Sequence, residues 1–170
     1  MYDIPWFPGE TLIAAIGQGY VSVTPIQLAF MTGVVANGGM RYQPSLIKDP
    51  VPVVTGRLMA NPENLAIIKE GLFGVVNEHS GTGWAAKSSL TTISGKTGTA
   101  QVIGYGKATS AHLERFRDHA WFVAFAPYEN PEIALAVLVE HGGHGGVAAA
   151  PIAKKAIEAY MAPKESLDLR

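Results

Sequence analysis

Two long apolar runs towards the C-terminal end of the sequence constrain the fold most strongly. The segments His119–Ala126 and Ile133–Val139 consist almost entirely of apolar residues, a pattern that is typical of strands covered on both faces. The link between them is short and contains Pro127 and Pro131, so the two runs are predicted to pair as an antiparallel hairpin. Strands of this kind need packing partners on both sides of the sheet.

Helical patterns precede and follow these strands. Four segments are predicted to be helical: the region of Leu12, Ala15, Ile16 and Gly19, a helix from the capping box Thr24–Gln27 to the stop at Asn37–Gly39, a helix that begins at Asn61–Glu63, and a closing helix over Ala149–Met161. The second helix carries Leu28, Met31 and Val35 on one apolar stripe. On the third helix, Leu65, Ile68, Leu72 and Val75 are predicted to face a core. This order of elements predicts an α+β fold with an antiparallel sheet flanked by helices.

The remaining segments are predicted to be extended or irregular. Residues 40–60 are rich in proline and valine, and Thr91–Val102 is predicted to be a strand interrupted by glycines. Residues 104–118 form a long polar connection, and Gly142–Gly146 forms a glycine-rich turn. All 170 residues are predicted to form one domain, with the tail Pro163–Arg170 frayed.

Composition excludes several classes of protein. With 48% apolar residues, 16% charged residues and a formal charge of -1, the chain is globular and has no basic footprint for nucleic acid. It contains no cysteine, so a disulfide framework is excluded. No apolar run reaches the ~18 residues of a membrane span. The first residues lack the pattern of a signal peptide, so an exported protein would need its signal and anchor upstream.

The stretch Ser94–Ala100 carries the chemistry. It places a lysine, hydroxyl groups and glycines on one predicted strand. Because side chains alternate along a strand, Thr97 and Thr99 share a face, where two hydroxyls can donate to one carboxylate. Gly98 leaves the backbone open to a ligand, and Lys96 adds positive charge beside the anion. A polar strand edge with a bulge at Gly98 would account for the same residues, so the stretch alone leaves both interpretations open.

Together with other segments, this stretch resembles the third signature of the penicillin-binding protein and serine β-lactamase family. The segments that resemble class B transpeptidases are Trp6–Glu10, Ile16–Tyr20, Thr24–Ala29, Ala36–Gly39, Glu140–Gly143 and Ala149–Ala153. The succession of Lys96–Gln101 and His119–Pro127 is most similar to the elongation-type group, penicillin-binding protein 2. The resemblance runs from Trp6 to Tyr160 and implies a partial transpeptidase fold, the C-terminal portion of a single transpeptidase domain.

The resemblance implies roles for the motif residues. Thr97, Gly98 and Thr99 would bind the carboxylate of a D-Ala-D-Ala stem peptide or of a β-lactam. The backbone N–H of Thr99 would be one of two oxyanion-hole donors. Lys96 would lie off the hydroxyl face and tune the site electrostatically. These roles imply no cofactor.

The family also needs a nucleophilic serine in a Ser-x-x-Lys motif and a Ser-x-Asn motif. The chain contains no Ser-x-Asn, and its one Ser-x-x-Lys is Ser45–Lys48. Pro44 and Asp49-Pro50 surround that stretch and predict an extended chain, whereas the catalytic motif opens a buried helix. Ser45 is therefore not expected to be a nucleophile, and the chain alone is expected to be inactive.

Other candidate sites are weaker. His119, His141 and His144 lack the rigid spacing and the acidic or cysteine partner of a zinc site, so no metal is predicted. The turn at Gly142–Gly146 precedes a helix, as phosphate sites do, but it lacks the P-loop residues. A solvated loop is predicted for Arg115, Arg117 and Asp118; the alternative is a rim that contacts a glycan strand or a partner. Packing in the core or at the rim is predicted for the three tryptophans, Trp6, Trp84 and Trp121.

The resemblance implies part of a peptidoglycan D,D-transpeptidase that works through an acyl-serine and binds β-lactams. The implied partners of the parent protein are stem peptides, β-lactams and other cell-wall elongation proteins. Its implied location is the extracytoplasmic face of the bacterial inner membrane, held by an anchor upstream. A β-lactamase or D,D-carboxypeptidase is disfavoured because the segments Gly17–Gly19 and Thr24-Pro25 look class B. A non-catalytic penicillin-recognition or sensor module is the alternative, and a Ser-x-x-Lys with a membrane anchor upstream would decide against it.

Overall fold

The computed structural model describes residues 5–48, 51–102 and 116–163. Its helices are α1 (Pro8–Ala15), α2 (Pro25–Ala36), α3 (Pro62–Asn77), α4 (Gly145–Ala148) and α5 (Ala150–Met161), with a 3₁₀ turn at Trp84–Ala86. Its strands are β1 (Met40–Tyr42), β2 (Val54–Arg57), β3 (Ser94–Ala100), β4 (His119–Ala126) and β5 (Ile133–Val139). Helices and antiparallel sheet thus combine in the α+β class that the sequence predicts.

The main sheet has the strand order β3-β4-β5, with both neighbouring pairs antiparallel. Strands β4 and β5 have the predicted bounds and form the predicted hairpin, in which Ala126 pairs with Ile133. The motif strand is shorter than the predicted Thr91–Val102. Most of the predicted polar connection, residues 104–115, and nearly all of the predicted tail, residues 164–170, lie outside the described residues.

The core lies between one face of the sheet and helix α5. Ala120, Phe122 and Ala124 alternate along β4 and are fully buried on this face. Ala153 and Ile157 of α5 pack against them, and the end of α3 and the 3₁₀ turn complete the cluster. Small alanine side chains on both elements let the helix approach the sheet closely, which gives the dense packing that interiors need.

On the opposite face, α2 packs against β5 and β4. Its start is the predicted capping box, in which Thr24 accepts from the N–H of Gln27 and the Gln27 side chain accepts from the N–H of Thr24. The predicted apolar stripe of α2 is only partly covered: Leu28 and Val35 are half-buried, whereas Met31 is 50% exposed. The buried residues of α2 are Thr32, Val34 and Ala36.

Two other sequence expectations for the helices need correction. The first helix ends at Ala15, so Gly19 lies beyond it, and α1 has no buried residue. On α3, Leu65 is buried as predicted, whereas Ile68 is 48% exposed.

A large apolar surface is exposed near the N-terminal end. Its members, called here the N-terminal apolar surface, are Trp6, Phe7, Leu12, Ile13, Ile16, Tyr20, Val21, Val23 and Ile26. Exposures of 74% for Leu12 and 75% for Ile16 are high for such side chains. Exposed apolar area on this scale drives association.

The 170-residue chain is therefore expected to self-associate or to bind a hydrophobic dye in solution. Light scattering after gel filtration and dye fluorescence measure the two effects. Replacing Leu12 and Ile16 together by glutamate should lower both signals, because charges would then interrupt the surface. A monodisperse wild-type monomer that binds no dye would count against this prediction.

Candidate functional site

The motif stretch forms β3 and becomes more accessible along its length. Ser94 and Gly95 are buried, Lys96 is exposed, and Thr97–Ala100 is half-buried. The strand therefore begins in the core and carries the motif out to an accessible edge. A ligand can reach the second half of β3 without any opening of the core.

Pairing with β4 fixes the direction of each motif side chain. Thr97 lies opposite Phe122, and Gly98 lies opposite Trp121. Residues directly opposite each other share a face, so Thr97 and, two residues on, Thr99 lie on the face of the buried Phe122. Lys96 lies on the other face, off the hydroxyl face.

The backbone of β3 offers its second edge to ligands. Among the described residues β3 pairs only with β4, so its other edge has no strand partner. Two side chains reach carbonyls outside this ladder: Gln18 Nε2 donates to Thr99 O at 2.8 Å, and Lys96 Nζ donates to Thr97 O at 2.9 Å. In an antiparallel strand the N–H and C=O of one residue point to the same edge. The N–H of Thr99 therefore faces the free edge too.

A second hydroxyl stands beside Thr97. The Oγ1 atoms of Thr82 and Thr97 are 3.0 Å apart, and either can be the donor. Thr82 belongs to the loop after α3, where the N–H of Gly83 donates to Val75 O at 2.9 Å. A loop anchored on α3 thus brings an exposed hydroxyl to the motif, and whichever threonine accepts this bond keeps its own proton free for an anion.

The turn after β5 supports the motif from behind. Gly145 packs so tightly that a Cβ at this position would lie 2.5 Å from Gly98 O and would overlap Trp121 O. The contact holds the Gly98 backbone against β4 without a side chain between them. A glycine is required at position 145 for space, and the close approach ties α4 to the motif strand.

A histidine pair closes the end of the sheet. The N–H of His141 donates to Nδ1 of His119 at 2.9 Å, and Nδ1 of His141 lies 3.1 Å from the carbonyl of Arg117. A carbonyl only accepts, so Nδ1 of His141 carries the proton. Residue Arg115 of the predicted charged loop lies outside the described residues. Within the described ranges no three His, Asp or Glu side chains gather in a way that would hold a metal ion.

The Ser-x-x-Lys stretch lies away from any helix. Ser45 lies in the irregular segment between β1 and β2, and its Oγ accepts from the N–H of Ile47 at 3.0 Å. A nucleophilic serine in this motif needs the lysine one helical turn behind it. The non-helical chain predicted for this stretch is confirmed, and its geometry does not suit a nucleophile.

Sequence reasoning missed two residues that contact the motif. Thr82 was visible only as part of a loop, and Gln18 only as part of a segment similar to class B transpeptidases. Their partners lie 15 and 81 residues away, and no local pattern reports a contact at such separations.

Of the three tryptophans, Trp6 is 60% exposed and Trp84 is 45% exposed, so neither is a core residue.

The comparisons with known proteins all point to one family. A family model for the penicillin binding protein transpeptidase domain matches residues 3–158. The chain is 38% identical to the peptidoglycan D,D-transpeptidase MrdA of Acinetobacter baumannii over 179 residues, which cover 97% of this chain and 26% of that protein. It spans about a quarter of the length of the curated relatives that it matches.

Solved structures that resemble this chain point to the same family. Pseudomonas aeruginosa PBP2 in complex with WCK 5153 superposes with a TM-score of 0.71 at 40% identity, over 94% of this chain and 34% of that one. The complex of PBP2 and MreC from Helicobacter pylori gives a TM-score of 0.70 at 30% identity, over 94% of this chain and 29% of that one. With its motif on an accessible strand edge and a family model over most of its length, the chain belongs to the penicillin-binding protein transpeptidase family.

Proposed function

We propose that the chain is the C-terminal part of the transpeptidase domain of a peptidoglycan D,D-transpeptidase of the penicillin-binding protein 2 type. The full-length enzyme would cross-link stem peptides through an acyl-serine intermediate, and β-lactams would acylate the same serine. The observation that carries the proposal is the position of Thr99, whose backbone faces the free edge of β3, where the exposed Lys96 also reaches Thr97 O.

The proposed chemistry divides between the hydroxyls and the backbone. Thr97 and Thr99 hold the terminal carboxylate of D-Ala-D-Ala or the carboxylate of a β-lactam, because two hydroxyls on one face can donate to one anion. When the nucleophile attacks the carbonyl, negative charge develops on its oxygen. The N–H of Thr99 stabilises that oxyanion, and removing such a donor costs about 3 kcal/mol of transition-state stabilisation.

Lys96 acts in this proposal as a fixed positive charge. Its side chain is exposed, and its Nζ donates to the carbonyl of Thr97, one of the two residues proposed to bind the carboxylate. An exposed charge of this kind is screened by salt, so it attracts the anionic ligand more than it anchors it. The nucleophilic serine and its lysine come from a part of the full-length enzyme outside this chain.

The proposed partners follow from the family. They are stem peptides that end in D-Ala-D-Ala, β-lactam antibiotics, and other cell-wall elongation proteins; a relative has been solved with MreC. The proposed place of action is the extracytoplasmic face of the bacterial inner membrane, where peptidoglycan is built. None of the helices in the described ranges has the length and apolar character of a membrane span.

Replacing Thr99 by alanine should slow acylation of the full-length enzyme by a β-lactam. The variant keeps the N–H but loses one hydroxyl that holds the carboxylate. A hydrogen bond to a charged group contributes about 1.5–3 kcal/mol, which corresponds to a loss of about 10- to 100-fold in acylation efficiency. Stopped-flow absorbance with a chromogenic cephalosporin measures the rate.

Thr99→Ser is the matched control, because it keeps the hydroxyl and should retain most of the wild-type rate. An alanine variant that is acylated as fast as wild type would contradict the assignment of Thr99. A wild-type full-length protein that is never acylated would instead favour a non-catalytic penicillin-recognition or sensor module.

A further inference from the structure

The turn between α1 and α2 directs a side chain at the proposed site. Gln18 Nε2 donates to Thr99 O at 2.8 Å in a partly buried bond. This bond ties residues at the start of the chain to the motif strand, 81 residues later. The carbonyl that it engages belongs to the residue whose N–H is the proposed oxyanion donor.

The backbone at Gln18 is held by the end of α1. The N–H of Gly17 donates to Ala14 O at 3.0 Å, and the N–H of Gln18 donates to Ile13 O at 3.1 Å. These two bonds form a Schellman motif, in which the residue after the helix adopts a left-handed conformation. Gly17 does so with φ of 75°, and Gly19 follows with φ of 70°. Glycine has no Cβ penalty in this conformation, so the Gly-Gln-Gly turn is built to present Gln18 from a fixed point.

The backbone on the two sides of the Gly98–Thr99 peptide is therefore held from opposite directions. Towards β4, Gly98 lies opposite Trp121 and is backed by Gly145. Towards the free edge, Gln18 holds the carbonyl of Thr99. With both sides held, the peptide plane that carries the Thr99 N–H has little freedom to rotate.

We infer that Gln18 is a positioning residue that aims the N–H of Thr99 at the developing oxyanion; this inference rests on the proposed function. Gln18 acts through Thr99 and binds no carboxylate itself. Small displacements of a catalytic group are costly, since about 1 Å of misplacement lowers rates by about 100-fold. Loss of the Gln18 bond should therefore affect the acylation step more than ligand binding, because the threonine hydroxyls that hold the carboxylate remain.

The test is made on the full-length enzyme with Gln18→Met, which keeps the length of the side chain and removes the donor. Stopped-flow measurement with a chromogenic cephalosporin separates the dissociation constant of the first complex from the acylation rate constant. We expect the rate constant to fall at least 10-fold and the dissociation constant to change less than 3-fold. The matched control is Gln43→Met, at an exposed glutamine after β1, which should match wild type in both constants.

The possible results distinguish a failure of the inference about Gln18 from a failure of the proposed function. If wild-type enzyme is acylated and Gln18→Met is acylated equally fast, the inference is wrong while the proposed function stands. If the dissociation constant rises and the rate constant stays, Gln18 is a binding residue and the inference is also wrong. If wild type is not acylated, the proposed function fails first.

Folding of the variants is checked separately by the midpoint of thermal unfolding. Should Gln18→Met unfold, Gln18→Asn keeps the amide on a shorter side chain that does not reach the carbonyl. A folded Gln18→Asn enzyme with the wild-type acylation rate would overturn the inference, and a 10-fold slower one would support it.

Discussion

The 170-residue chain is expected to form no covalent adduct with a β-lactam, whereas the full-length enzyme should be acylated stoichiometrically. Acylation needs a nucleophile, a base and an oxyanion hole within mutual reach. The motif strand offers only the proposed carboxylate anchor and one oxyanion donor, and Ser45 lies in a non-helical segment. The hydroxyls of Thr97 and Thr99 are weak nucleophiles at neutral pH without an adjacent base. Intact-mass spectrometry after incubation with penicillin measures the adduct.

The control for this experiment is the same incubation with full-length enzyme, in which a single serine outside the chain should carry the adduct. A stoichiometric adduct on the isolated chain would overturn the prediction. Peptide mapping would then identify the nucleophile, and an adduct on Ser45 would make the chain a self-sufficient enzyme.

Replacing Gly145 by alanine is expected to disrupt the motif strand. The new methyl group would overlap the carbonyl of Trp121 and lie 2.5 Å from that of Gly98. These are backbone atoms of a paired sheet, so they have little room to yield. Overpacking of this kind lowers the free energy of unfolding by about 1–3 kcal/mol, and displacement of β3 should also slow acylation. Urea unfolding of the full-length enzyme and stopped-flow acylation measure the two effects.

Gly71→Ala is the matched control. Gly71 lies inside α3, and nothing lies within 4 Å of a Cβ placed there. Alanine in a helix is favoured over glycine by about 0.5–1 kcal/mol, so this variant should be as stable as wild type or more stable. Equal stability and equal acylation for Gly145→Ala and Gly71→Ala would show that the tight approach at Gly145 has no consequence.

The parts of the fold that sequence predicts best are those with a strong local cause. The continuous apolar runs gave the bounds of β4 and β5, and the capping box gave the start of α2. Helix faces were less predictable. Helix α2 is apolar on almost every side, so periodicity could not distinguish the face of Met31 from that of Val34. The position of the sheet decides which of the two faces is buried, and no local sequence pattern gives that position.

The candidate site shows the same difference between features with a local cause and contacts that depend on the whole fold. Alternation along one strand was enough to place Thr97 and Thr99 on one face, and the register with β4 agrees with it. Contacts that cross the chain were not predictable, because Thr82 and Gln18 come from loops whose position depends on the whole fold. The role of Thr99 stays a prediction, which the Thr99→Ala variant tests.

The bond between Gln18 and Thr99 also bears on the order in which the molecule folds. Its partners are 81 residues apart, whereas β4 and β5 are joined by a link from Pro127 to Glu132. Closing the longer loop costs about 2 kcal/mol more in chain entropy. The hairpin can therefore form early as a local unit, while the arrangement around Thr99 is completed late. In the full-length enzyme, partial opening would misplace the proposed oxyanion donor before the sheet is lost, so acylation activity would disappear ahead of secondary structure.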